Sequence, residues 1–229
     1  INQLIDTTAT NNWVFLGSKI LALFQVQIYL LVVMMLCGIG LQLYNGYYQF
    51  EIDLYLFHLF IITFPPLIIW AALSVFIHTT VPNVYMGIFI LLLIWIGKDQ
   101  LPQIGIESYL LRFNSPPQVV YSDLNGFDHG LLANLIINTY WLVFSAILIV
   151  VTYLFWERGY YYSIKERMQR AFQQFKGYSS YALLLFLSLF CFLGFYIYQD
   201  ENSSFRTAGN NEQILKEFKA NFRKYKSAI

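Results

Sequence analysis

Five long apolar runs, at residues 20–43, 58–76, 84–96, 131–156 and 178–198, limit what this chain can fold into more than any other feature. The first spans roughly 36 Å at about 1.5 Å per residue, enough to cross a bilayer with some tilt. The third is short for a full crossing unless it borrows from the turn before it. The whole chain is 58% hydrophobic and only 12% charged, against roughly 25% charged in an ordinary soluble domain. The whole chain is therefore not expected to fold as a water-soluble protein. The expected fold is all-α: a polytopic transmembrane bundle of about five spans over residues 1–198, then a tail over 199–229 carrying an amphipathic helix.

Two of these spans contain residues at odds with lipid. Gln25 and Gln27 lie inside the first run. A buried amide bonds between helices, or it marks a transport path. Pro65-Pro66 interrupts the second run, where two missing backbone donors and the steric restriction on the preceding residue predict a kink or break. Such a break is either incidental or a gate. Cys37 and Cys191 both sit in apolar runs and read as small buried hydrophobes, with no disulfide or metal pairing implied.

Orientation follows from the connections. Residues 157–176 carry Arg158, Lys165, Arg167, Arg170 and Lys176 against Glu157 and Glu166, and an excess of Lys and Arg near spans marks the cytoplasmic side. Counting outward places 1–19 and the His78 turn inside, and 44–57, 97–130 and 199–229 outside. The aromatic 44–57 segment, with Glu51 and Asp53 and no basic residue, suits an outer interface. Within the basic segment Ile164, Met168, Phe172 and Phe175 share one helical face, as in a helix lying on the inner surface or packed on its own protein. The tail is also basic, but its Lys and Arg lie mostly beyond the reach of the orientation rule. Ile214, Leu215, Phe218, Phe222 and Tyr225 form its apolar stripe.

Residues 97–130 form the longest polar connection. A short amphipathic helix is expected over 104–111, stopped by Pro116-Pro117. Asn125-Gly126 favours a turn, and Asp128 is placed to cap the next helix. These roles account for Asp123, Asp128 and His129 without a metal ion.

No catalytic signature is present. His58, His78 and His129 each lack the partners of H-E-x-x-H, Gly97-Lys98 does not complete a phosphate-binding loop, and no G-x-S-x-G occurs. Nor does the chain offer paired carboxylates or a Ser/His pair at membrane depth. With a net charge of +1, nothing points to nucleic acid as a partner. The chain is expected to be no enzyme and to hold no cofactor, so any work it performs is driven by another subunit. It opens on Ile1 without an initiator Met and is read as part of something longer.

Several strings carry a resemblance. They are Leu4-Ile5-Asp6-Thr7 with Gly17-Ser18-Lys19, Tyr47-Tyr48-Gln49-Phe50-Glu51 with Leu54-Tyr55-Leu56, and Trp156-Glu157-Arg158-Gly159. The most specific is Tyr121-Ser122-Asp123-Leu124-Asn125-Gly126-Phe127-Asp128-His129. With these the chain resembles the later membrane half of bacterial type-2 ABC transporter permeases that are fused to a gluzincin-type zinc aminopeptidase. The family usually has Pro where this chain has Thr8. The resemblance implies a location in the bacterial inner membrane and a separate ATPase subunit acting through residues 1–19. It also implies a second permease half in the same chain or a dimer, a partly re-entrant outer region before residue 131, and an outer peptidase following residue 229. The peptidase's zinc ligands have no counterpart here. Two functions stand: a transport subunit driven by ATP hydrolysed elsewhere, or a membrane anchor for that outer enzyme.

Overall fold

The structure, a computed structural model, describes residues 12–81, 83–122, 126–127, 130–156, 178–204 and 218–219. Five helices long and apolar enough to cross a membrane make up nearly all of it. Helix α1 is Asn12–Tyr44, α2 is Ile52–Thr80, α3 is Val84–Ile104 with a 3-10 last turn, α4 is Gly130–Leu154 and α5 is Tyr178–Ser204. The fold is an all-α bundle, as the apolar runs require. The basic segment 157–176, the residues before Asn12 and the tail's apolar stripe, apart from Phe218, lie outside the described residues.

α1, α2, α3 and α5 overrun their apolar runs, while α4 stops two residues short of the end of its run, because a helix ends where its capping chemistry is and not where hydropathy falls. α1 begins well before residue 20 and carries Gly17-Ser18-Lys19 inside it. Its extra turns are held by packing: Leu16 is buried, Trp13 stacks on Tyr153 at 4.1 Å, and Lys19 sits over the Trp156 ring at 4.6 Å. α2 runs on through His78 to Thr80, and Val81 is extended. Asn83 then caps α3 by accepting from the Tyr85 backbone N–H at 2.9 Å. Gly87 lets the His78 ring lie against α3, since a Cβ there would meet the imidazole at 3.3 Å.

Neighbouring helices run antiparallel. Tyr140 of α4 stacks on Phe190 of α5 at 4.4 Å while Ile137 meets Ile197 in the same cluster. Gly38 of α1 faces the Tyr55 ring of α2, and Gln27 faces Leu67. α4 is the central helix: half of its apolar window is buried, against 6% for α1, α3 and α5. Those three therefore present most of their apolar side chains outward, as helices bathed in lipid do. Cys37 and Cys191, expected to be buried, are free thiols on these outward faces. Periodicity carries little information when a helix is apolar all round.

At the end of the bundle where α4 begins, Tyr121–Ser122 and Gly126–Phe127 form a two-stranded antiparallel ribbon, pairing Tyr121 with Phe127 and Ser122 with Gly126. Gly126 has φ +67°, a backbone state that favours glycine. The connection before this ribbon is not the helix expected over 104–111. Gly105 takes φ +87° at the end of the 3-10 turn and stops it, and the chain then turns into the bundle.

Candidate functional site

The break in α2 is a change of helical register. Pro65 and Pro66 offer no N–H, and each ring would strike the carbonyl four residues earlier in an α-helix. The preceding Phe57–Thr63 segment widens into a π-helical turn, so that the Phe64 N–H bonds Leu59 O, five residues back. The widening moves the obstructing carbonyls aside, and the Thr63 hydroxyl donates to His58 O at 3.1 Å. π segments inside α-helices are frequent at functional sites.

Two side chains from elsewhere grip the helix just beyond the break. Gln27 Nε2 of α1 donates to Leu67 O at 3.0 Å, and Asn114 Nδ2 donates to Pro66 O at 2.9 Å. A carbonyl has two lone pairs, so such a bond can coexist with the helix's own. Asn114 belongs to the 105–120 connection, and Pro66 stands midway along Ile52–Thr80, roughly 21 Å from either end at 1.5 Å per residue. The connection therefore reaches the middle of the bundle.

Its tip is fixed by aromatic packing. Phe113 meets Trp70 at 5.2 Å, Trp141 at 5.0 Å and Phe144 at 6.4 Å between ring centroids, all edge to face. Irregular backbone at this depth needs partners within the protein. α4 supplies one: Asn134 Nδ2 donates to Pro117 O at 2.8 Å, and Asn138 Nδ2 in turn donates to Asn134 Oδ1 at 2.8 Å, orienting that amide. Lys98 flanks the loop, paired with Asp99 at 3.0 Å and within 3.5 Å of Ser115 Oγ.

The satisfaction is incomplete. Among the described residues, Gln27 Oε1, Arg112 Nε, Asn114 Oδ1, Asn138 Oδ1 and Trp141 Nε1 are buried without a hydrogen-bond partner. These five belong to the loop or to helices α1 and α4 that flank the break; a sixth such atom, Gln42 Oε1, lies near the C-terminal end of α1. Each such atom costs about 1–3 kcal/mol relative to a paired one. The loop is thus held by aromatic contacts at a level where several polar atoms have no protein partner among the described residues.

Two clefts flank this centre. One, of about 530 Å³, lies at the ribbon end between α1, the 45–51 connection, the start of α2 and Tyr121, with Gln42, Glu51, Tyr55 and His58 on its walls. The ribbon is docked there by Phe127, whose ring lies 4.8 Å from Phe57 and 5.2 Å from Tyr121. The other, of about 580 Å³, lies at the opposite end between Lys19, Leu23, Val26, Val75, His78 and Trp156.

Of the residues singled out from sequence, Gln27 is brought to the Pro65-Pro66 break and Gln25 is not. Gln25 Nε2 bonds Tyr29 Oη at 2.9 Å on the exposed side of its own helix. Tyr121, Ser122 and Gly126 form the ribbon, while Asp123, Asn125, Asp128 and His129 lie outside the described residues. Asn114, Asn134 and Asn138 were missed. Asn134 and Asn138, two amides four residues apart inside an apolar run, were a signal that one helix face meets polar backbone. Comparison with known protein families, with curated proteins and with solved structures gives no match to this chain.

Proposed function

We propose that the chain is a membrane-spanning subunit of an ABC-type (type-2) transporter. In this reading the 105–120 loop withdraws from and returns to the broken middle of α2, and ATP hydrolysed by a separate subunit drives the cycle. The basic 157–176 end faces the cytoplasm and the ribbon end faces outward across a bacterial inner membrane. The observation that carries the reading is the meeting of a π-broken helix with that loop at mid-bundle, gripped by Asn114 and Gln27. Discontinuous helices and irregular backbone at membrane depth are how transport proteins build movable, polar-lined paths. The likeness of the 47–56 and 121–129 strings to type-2 permeases supplies the energy source. The test is to purify the tagged protein from its own cells. Copurification with an ATPase, together with an efflux or uptake defect on deletion, supports the reading. Failure of both removes it.

The filled centre favours a second reading, a membrane anchor for an externally placed zinc aminopeptidase. Phe113, Tyr140 and Trp141 occupy the middle of the bundle with aromatic rings. Replacing the five spans by an unrelated single helix separates the two. Full retention of the cell's phenotype supports the anchor, and its loss supports transport.

A further inference from the structure

We infer that the ribbon-end cleft is a binding site for an organic ammonium group. Its volume of about 530 Å³ falls within the range of small-molecule sites. Four separate stretches of chain converge on it, so it is a product of the tertiary fold and not of one loop. Its described walls carry one carboxylate, Glu51, and one imidazole, His58. Among the described residues Glu51 is the single acid lining it, no Lys or Arg does, and the Glu51 carboxylate has no ion-pair or hydrogen-bond partner. Glu51 also leaves its place at the start of α2 unused as a cap, since its side chain accepts no bond from the helix.

Tyr47, Tyr55 and Tyr121 supply aromatic walls from three of those stretches. Tyrosine faces attract a cation through the ring quadrupole, and most strongly where water is partly excluded. Gln42 adds an amide whose Oε1 is buried and lacks a donor among the described residues. An unpaired carboxylate, an acceptor without a donor and three aromatic rings together suit a ligand that brings positive charge and, where it is a primary amine, N–H donors. An anion would meet the Glu51 carboxylate, with His58 the one described lining side chain able to offset the repulsion. Gly38 fixes one wall: a Cβ there would come within 3.2 Å of the Tyr55 ring, so the ring lies directly on α1.

The ammonium can belong to a soluble amine or to a zwitterionic lipid headgroup, because the cleft opens where the helices end. The experiment uses the full chain in phosphatidylglycerol nanodiscs, with radiolabelled choline as probe and 3,3-dimethylbutan-1-ol as its uncharged isostere. Saturable choline binding is expected, with the isostere competing at least about tenfold less well. Glu51→Gln weakens binding at least about tenfold. Asp53→Asn, which removes a neighbouring charge outside the cleft, leaves it within about twofold. Doping the discs with phosphatidylcholine displaces choline if the site takes headgroups and leaves binding intact if it takes soluble amines. Either result is compatible with the site. Absence of saturable binding to folded protein, equal binding of the isostere, or equal losses in the Glu51 and Asp53 variants overturns the inference. The readout is binding alone, so its outcome is independent of whether the chain transports.

Discussion

Asn114 concentrates the competing demands on this molecule in one side chain. It stands at φ +47°, the left-handed region that asparagine tolerates better than most residues. Its amide nitrogen bonds Pro66 O while its amide oxygen is buried without a partner. Asn114→Ala loses the bond and adds backbone strain, and is expected to cost about 2 kcal/mol in thermal or denaturant unfolding in detergent. Asn114→Gly loses the same bond but accepts the backbone, so its cost should be about half as large. Equal costs would mean that the conformation at this position does not matter. The glutamines make a second contrast. Gln27→Leu removes a bond between helices and should cost about 1 kcal/mol. Gln25→Leu changes an outward-facing residue and should lie within about 0.5 kcal/mol of the parent.

At the scale of elements, the π turn and the 105–120 loop form one device. Pro65→Ala with Pro66→Ala restores two backbone donors and removes the clash that widens Phe57–Thr63. The double variant is expected to raise the unfolding temperature and to lower transport-coupled ATPase turnover in reconstituted protein. A more active variant would contradict the loop's proposed role.

The spans themselves were legible in the sequence because a helix crossing lipid needs length and apolarity, and both are local properties. That α2 would be disturbed near Pro65-Pro66 was legible for the same reason, since a Pro-Pro pair acts on its own helix; the disturbance takes the form of a π segment over Phe57–Thr63 within a helix that runs on from Ile52 to Thr80. The loop's path was not legible in the residues themselves; a partly re-entrant region before residue 131 entered only as an implication of the family resemblance. Its anchors, Phe113 on Trp141 and Asn114 on Pro66, join residues far apart along the chain, and nothing local distinguishes a polar connection that folds inward from one that stays in water. The expected helix over 104–111 failed at Gly105, whose positive φ turns the chain. Only the spacing of Asn134 and Asn138 hinted that α4 would have backbone to satisfy.

For the whole molecule, the thin burial of α1, α3 and α5 leaves α4 as the one central helix, closed by the loop on one side and by α2 and α5 on others. The proposed sidedness is checked by labelling single cysteines in a Cys37→Ala, Cys191→Ala background. Ser122→Cys should react with an impermeant maleimide in intact cells and Ser163→Cys only after lysis, and the reverse pattern would invert the bundle. The claim on which the account rests is that the 105–120 connection reaches the middle of the bundle. Photocrosslinking from benzoylphenylalanine placed at Phe113 tests it most directly. The account predicts crosslinked peptides containing Trp70 and the Trp141–Phe144 segment of α4. Crosslinks confined to lipid, detergent or the ribbon would contradict it.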